Sequence, residues 1–146
     1  IYDFNVNDYQ DFKKAHLWDV EEGSQKEIES FMKEVYARGN CFAVFEEADN
    51  YFLYPSEFIR RFVNTARNRG IGAMVNCKRA KSIQPVYRNR FTSLVVFRTT
   101  IPEDIRYMEQ WAGVEKGQLE YIRNLPQGDH IHVDLVHGEV GEVERI

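Results

Sequence analysis

The first part of the chain has the apolar spacing of a helix followed by a buried strand. Ser24 and Glu27 form a capping box, which predicts that a helix begins there, and Gly39 is placed to end it. The apolar stripe of this helix is Ile28, Phe31, Met32 and Val35. The uninterrupted apolar run 41–45 that follows is typical of a parallel strand covered on both faces.

The order of helix and apolar strand recurs further along the chain. Pro55 and Ser56 open a second helix that Gly70 ends, and the apolar segment 71–75 follows as a strand. The expected buried face of this helix is Phe58, Phe62, Val63 and Ala66. The run 93–97 predicts a third buried strand, and Pro102 begins the next helix.

The pattern changes near the carboxyl terminus. Ile131, Val133 and Leu135 alternate with polar residues, and His137 and Gly138 resemble a hairpin turn into a last strand. The whole pattern predicts an α/β fold with a mainly parallel sheet flanked by helices, to which a C-terminal β-hairpin is added. With no repeat or low-complexity linker, we expect a single domain over residues 1–146.

Charge is distributed unevenly along the chain. Residues 58–100 contain 10 basic side chains and no Asp or Glu, whereas residues 1–57 contain 13 acidic and 5 basic side chains. This basic block suggests a surface that meets phosphates, although arginines that pair with acidic parts of the fold would explain it equally well. No run of 18 apolar residues is present, so we expect no membrane span.

Two carboxylates stand where the strand 41–45 must end. Ligands bind at the carboxyl ends of strands in open α/β sheets, and alternation along the strand points Glu46 and Glu47 in different directions. One carboxylate could hold a metal ion through water while the other reaches a nucleophilic water, as in the Walker B segment of phosphoryl-transfer enzymes. A solvated acidic loop after a core strand is the alternative.

Residues 41–98 resemble the FtsK/HerA ATPases, especially the genome-packaging ATPases of viruses with internal membranes. The resemblance consists of the segment FAVFEEAD (42–49), a helix ending in ARNRGIG (66–72), a strand ending in NCKR (76–79), and Asn89 before SLVVFR (93–98). It extends to residues 1–4, which are similar to the strand after the phosphate-loop helix. It implies a P-loop NTPase (RecA-like) core.

The resemblance assigns roles to single residues. It implies that Glu47 is the catalytic carboxylate that polarises the attacking water, and that Glu46 replaces the magnesium-linked Asp of the family. It places Arg67 as the catalytic arginine that reaches the γ-phosphate of a neighbouring subunit, with Arg69 as the nearby alternative. The other residues expected at the nucleotide are Lys78, where the family has a Gln, Asn76 and Arg69. The basic residues expected to contact nucleic acid are Lys81, Arg88 and Arg90.

The phosphate-loop motif G-x-x-x-x-G-K-[ST] does not occur in the 146 residues. We therefore expect that the sequence lacks the first strand and phosphate loop of the ATPase core, either by truncation or in a homologue that no longer hydrolyses ATP.

The function that the resemblance implies is an ATP-driven double-stranded DNA translocase, a viral genome-packaging ATPase with ATP and Mg²⁺ as cofactors. Its expected partners are double-stranded DNA, other copies in a ring of five or six subunits, and a capsid packaging vertex, in the host cytoplasm or the virion. The alternatives are an ATPase-like module that binds nucleic acid without hydrolysis, and a cellular HerA-like ATPase that processes DNA.

Overall fold

The computed structural model describes residues 2–3, 18–19, 24–52 and 55–145. Over this range it is a mixed α/β structure with two small sheets. Contacts divide the chain into an amino-terminal unit, Ile1–Tyr87, and a carboxy-terminal unit, Arg88–Ile146. The prediction of one ATPase domain over residues 1–146 stays a prediction.

The amino-terminal unit is built on a four-stranded parallel sheet. Its strands are β1 (Tyr2–Asp3), β2 (Trp18–Asp19), β3 (Phe42–Phe45) and β4 (Gly72–Val75), in the spatial order β2-β1-β3-β4. Its helices are α1 (Gln25–Arg38) and α2 (Glu57–Thr65), and α3 (Pro85–Arg88) lies at the boundary between the units. The register of β3 with β4 aligns Phe42 with Gly72 and Phe45 with Val75.

Local signals set the helix ends as predicted. The Ser24 hydroxyl accepts a hydrogen bond from the Glu27 N–H at 3.3 Å, and Gly39 ends α1 with a φ of 61°. Ser56 caps α2 in the same way, and Gly70, with a φ of 67°, ends the 3₁₀ turn that continues it. These contacts satisfy backbone groups that a helix end leaves without a partner, so the boundaries follow from nearby residues.

The core of this unit is aromatic and surrounds Phe45. The Phe45 ring makes edge contacts with Phe31 of α1, Phe62 of α2 and Phe52, at centroid distances of 5.5, 5.9 and 6.0 Å. All four predicted stripe residues of α1 are buried. In α2, however, Ile59 is fully buried while Phe58 is only half-buried, because the helix is rotated relative to the predicted face.

The prediction that β3 is covered on both faces is wrong for the described residues. Helices α1 and α2 pack on the face that carries Ala43 and Phe45, which are 2% and 1% exposed. On the opposite face, Phe42 is 66% exposed and Met74 of the paired strand is 50% exposed. An apolar run of strand length is compatible with one or two covered faces, so the pattern could not decide between them.

The carboxy-terminal unit contains an antiparallel sheet and one longer helix. The strands β5 (Ser93–Phe97), β6 (Asp129–Asp134) and β7 (Glu139–Arg145) lie in that order, and α4 spans Pro102–Ala112. The core residues Ile105, Leu119, Ile122, Ile131 and Val133 are fully buried. The predicted C-terminal hairpin is confirmed as β6 and β7.

The parallel sheet is smaller than predicted, because β5 pairs with the hairpin. Residues 93–97 run antiparallel to β6, with Val95 opposite His132. Only Val96 of this strand is buried, whereas Val95 and Phe97 are 55% and 47% exposed. The strand predicted over residues 93–97 is present, but the prediction that it is buried is wrong, since alternate residues of β5 point away from the core of its unit.

Candidate active site

Hydrogen bonds hold together the carboxyl ends of β3 and β4. All strands of the parallel sheet end on this side, which we call its carboxyl edge. The Asn76 N–H donates to the Phe45 carbonyl at 2.8 Å, and the Ala48 N–H donates to the Asn76 carbonyl at 2.9 Å. These reciprocal bonds extend the pairing one step beyond the strands. They bring Glu46 and Glu47, which follow β3, next to the segment that follows β4, at the edge where open α/β sheets bind ligands.

Glu46 is oriented by a neighbour on each side. Its Oε2 accepts a hydrogen bond from the Asn76 side-chain amide at 2.7 Å, and its carbonyl accepts one from the Tyr51 hydroxyl. A carboxylate is the ligand type that Mg²⁺ prefers, together with water and substrate phosphates. Among the described residues, no group of three or more His, Cys, Asp or Glu side chains could hold a metal ion.

Glu47 has an unusual backbone conformation. Its φ of 49° and ψ of 43° lie in the left-handed region, which costs a residue with a Cβ on the order of 1 kcal/mol or more. The residue immediately precedes the 3₁₀ turn Ala48–Asn50, and its side chain is 33% exposed. Such conformations are concentrated at functional sites, where the surrounding structure maintains them.

The Glu47 carboxylate forms an ion pair with Lys78. The Lys78 Nζ lies 2.9 Å from Glu47 Oε1, and the Asn50 amide is 3.5 Å from the second oxygen. The hydrogen bond to Glu47, followed by the attraction between the two charges, raises the pKa of Lys78. The predicted site residues Glu46, Glu47, Asn76 and Lys78 are thus brought together in the structure.

Asp49 is a residue of this edge to which the sequence alone assigned no role. Both of its carboxylate oxygens accept the Lys78 N–H, at 3.0 and 3.1 Å, so Asp49 fixes the backbone that carries the Lys78 side chain. Its position three residues after Glu46 was visible in the FAVFEEAD segment. Only the pairing of β3 with β4 identifies its partner.

Arg67 and Arg69 lie at the opposite end of the strands, where the parallel strands begin. They belong to the 3₁₀ turn that precedes β4, whereas Lys78 follows β4, and a four-residue strand separates the two edges by roughly 13 Å. Arg67 is exposed. The Arg69 guanidinium donates to the Tyr36 and Ala37 carbonyls at the end of α1, both at 3.3 Å, and lies over the Tyr36 ring. Its role at the nucleotide stays a prediction.

The residues predicted to contact nucleic acid occur in both units. Lys81 is exposed in the 3₁₀ turn Ala80–Ser82 of the amino-terminal unit. In the carboxy-terminal unit, Arg90 is exposed and the Arg88 guanidinium lies 4.5 Å from the centre of the Tyr107 ring.

Some members of the basic block are paired inside their unit, as Arg60 is with Glu57 at 2.6 Å. Pairing within the fold therefore explains part of the block, and contact of Lys81, Arg88 and Arg90 with nucleic acid stays a prediction.

The fold is similar to that of viral packaging ATPases. B204, the DNA-packaging ATPase from Sulfolobus turreted icosahedral virus, matches with a TM-score of 0.77 at 16% identity, over 89% of this chain and 66% of that one. The genome-packaging NTPase B204 from Sulfolobus turreted icosahedral virus 2 matches in its complex with ATP-gammaS at a TM-score of 0.74 and 16% identity, over the same shares of the two chains. Its complex with AMPPCP matches at 0.74 and 14% identity, over 100% of this chain and 73% of that one.

These likenesses establish the fold, and the chain spans about two thirds of the length of the first two of these structures. No protein-family model matches the sequence, and no curated protein matches it either. In the described part of the chain, no helix has the length and apolar character needed to cross a membrane.

Proposed function

We propose that the protein is the ATPase subunit of a motor that translocates double-stranded DNA during viral genome packaging. The observation that carries this proposal is the pair Glu46 and Glu47 at the carboxyl end of β3, in a fold similar to that of the B204 packaging ATPases. Two of the B204 structures contain the ATP analogues ATP-gammaS and AMPPCP, which supports a nucleotide as the ligand of this edge.

The site contains the groups that phosphoryl transfer requires. This reaction depends mostly on positioning and on neutralising the charge of the phosphates, and bound Mg²⁺ would supply part of that neutralisation. Glu46, oriented by Asn76, would hold the ion, and Glu47 would accept a hydrogen bond from the attacking water. Lys78 would neutralise charge on the terminal phosphate, and Asn76 would complete the nucleotide contacts of this site. Arg69, which lies at the opposite end of the strands, is the alternative to Arg67 for the contact with a neighbouring subunit's nucleotide.

The proposed motor is a ring of five or six copies of the chain. Arg67 lies at the sheet edge remote from Glu47 of the same chain, which supports a role for Arg67 in the site of a neighbouring subunit. Lys81, Arg88 and Arg90 would contact the DNA backbone. The ring would act at a capsid packaging vertex, in the host cytoplasm or on the virion.

Hydrolysis by a Glu47→Gln variant tests this function. In the full-length protein, we expect the variant to retain its affinity for ATP and to lose hydrolysis by about a hundredfold or more, because a positioned general base contributes about 10²–10⁴ in rate. Glu57→Gln removes an exposed, ion-paired carboxylate elsewhere and is the matched control. Hydrolysis by Glu47→Gln within a few-fold of the wild-type rate would exclude Glu47 from the reaction.

The second candidate function is an ATPase-like module that binds nucleic acid without turnover. The ion pair between Glu47 and Lys78 favours it, because a carboxylate engaged by an ammonium group is a weaker acceptor for water. A wild-type protein that binds both ATP and DNA but releases no phosphate would support this candidate. DNA-stimulated hydrolysis would instead support the motor, in a virus or in a cellular HerA-like role.

A further inference from the structure

Lys78 forms an ion pair with Glu47, the carboxylate that the proposed hydrolysis of ATP needs. Its Nζ is 2.9 Å from Glu47 Oε1, so the oxygen that would align a water molecule is engaged by a cation. A γ-phosphate bound at the same edge would present a second and stronger anionic partner to this ammonium group. Glu47 and a terminal phosphate therefore compete for one lysine.

The geometry permits Lys78 to change partners without a change in the backbone. Its side chain is 74% exposed, so it can adopt other rotamers at little cost, and an exposed ion pair of this kind contributes little to stability. Its backbone N–H, in contrast, is held by both oxygens of Asp49. Asp49 is thus a positioning residue, because it fixes the backbone from which the Lys78 side chain extends.

We propose that Lys78 is a nucleotide-dependent latch on Glu47. Without a terminal phosphate, Lys78 pairs with Glu47 and keeps the carboxylate from the attacking water. When a nucleoside triphosphate binds, the ammonium group moves to the terminal phosphate and releases Glu47. This inference rests on the proposed function, and it adds that the protein couples the presence of the γ-phosphate to the readiness of its own general base.

The latch predicts that substitutions of Glu47 and Lys78 have non-additive effects on nucleotide affinity. The quantity to measure is the preference for a non-hydrolysable ATP analogue over ADP, determined by titration calorimetry on the full-length protein. In Glu47→Gln, the lysine no longer has to leave a charged partner, so this preference should rise by about twofold to fivefold, as expected for an exposed ion pair. In a Lys78→Met background, the same Glu47→Gln substitution should produce less than half of that gain.

Two further variants separate the latch from general electrostatics. Glu57→Gln also removes one exposed, paired carboxylate from the same unit and should leave the preference unchanged. Asp49→Asn keeps an acceptor oxygen but loses the charge that holds the Lys78 N–H. We expect it to lower the preference for the ATP analogue while leaving ADP affinity unchanged, which a loss of overall stability would not do.

The outcomes distinguish the latch from the function on which it rests. An equal gain from Glu47→Gln in the wild-type background and in the Lys78→Met background would overturn the latch and leave the proposed function standing. Failure of the wild-type protein to bind either nucleotide would overturn the proposed function itself.

Discussion

Arg67 and Arg69 are two residues apart, yet the structure gives them different environments. Arg69 donates two hydrogen bonds to the last carbonyls of α1 and covers the Tyr36 ring, whereas Arg67 is exposed to solvent. Cations near a helix C-terminus also interact favourably with the helix dipole. Sequence position alone makes these arginines competitors for one role at the nucleotide, and the packing distinguishes them.

We expect Arg69→Ala to destabilise the fold and Arg67→Ala to leave stability unchanged. The loss for Arg69→Ala should be about 1 kcal/mol in the free energy of unfolding, since a typical net hydrogen bond contributes about 0.5–1.5 kcal/mol. Urea unfolding of the two variants, followed by circular dichroism, measures the difference. Equal effects of the two substitutions would contradict this assignment.

At the scale of elements, the turn between β6 and β7 is held by one carboxylate. Asp134 Oδ1 accepts the N–H groups of Val136 and His137 at 2.7 and 3.0 Å, and Oδ2 lies 2.9 Å from His137 Nδ1. The His137 side chain, followed by these N–H groups, lowers the pKa of Asp134 to about 2. The hydrogen bond to Asp134 in turn raises the pKa of His137.

These pKa shifts make the turn sensitive to pH on both sides. The contribution of Asp134 is present above its ordinary pKa of 3.8 and is lost as the pH falls through about 2. The contribution of His137 is complete below its ordinary pKa of 6.5 and is lost as the pH rises through its raised value. The turn should therefore be most stable between the two ordinary values, where both groups are charged.

An NMR titration of His137 tests this prediction. In the wild-type protein, its pKa should lie above the ordinary value of 6.5, because Asp134 accepts a hydrogen bond from the ring. In Asp134→Asn, the pKa of His137 should fall toward the ordinary value, because the charged partner is gone. A His137 pKa that does not change in this variant would show that the ion pair is absent in solution.

At the scale of the whole molecule, the separation of Arg67 from Glu47 predicts complementation between subunits. Arg67→Ala and Glu47→Gln should each hydrolyse ATP very slowly, since an arginine supplied by a neighbour can contribute about 10³–10⁵ in turnover. A mixture forms some interfaces that combine an intact Glu47 with an intact Arg67. We expect these interfaces to restore a fraction of the hydrolysis rate.

The control for this mixture is a direct demonstration that subunits exchange, for example by energy transfer between labelled chains. With exchange demonstrated, a mixture that stays inactive at every ratio would argue against a role of Arg67 in the neighbouring site. Arg69→Ala mixed with Glu47→Gln adds a comparison, because Arg69 is engaged with α1 of its own chain.

The proposed DNA contacts predict a salt dependence that belongs to the assembled protein. Each phosphate contact contributes about 0.9 to the slope of log binding constant against log salt concentration. Neutralising Lys81, Arg88 and Arg90 together should therefore reduce that slope by about 2–3, with little effect on sequence preference. Arg60→Gln is the matched control within the basic block, because Arg60 is paired with Glu57. An unchanged slope would assign the three residues to the fold or to a subunit interface.

The positions of the helix ends were predictable from the sequence, because they depend on residues that are neighbours along the chain. Ser24, Ser56, Gly39 and Gly70 act through backbone groups within a few residues, so their chemistry marks the helix ends before any tertiary contact is known. The two carboxylates after β3 were predictable for a related reason. A buried strand ends where charged residues begin. The carboxyl ends of all strands in a parallel sheet lie on the same side of the sheet, where ligands bind.

The tertiary structure decided which residues these carboxylates meet. Lys78 lies 31 positions from Glu47 along the chain, and only the register of β3 with β4 brings the two side chains to 2.9 Å. The same register makes Asp49 the anchor of Lys78, and the choice of β6 as partner removes β5 from the parallel sheet. Apolar patterning specifies that a strand forms, whereas pairing across strands depends on long-range contacts that one strand's sequence does not encode.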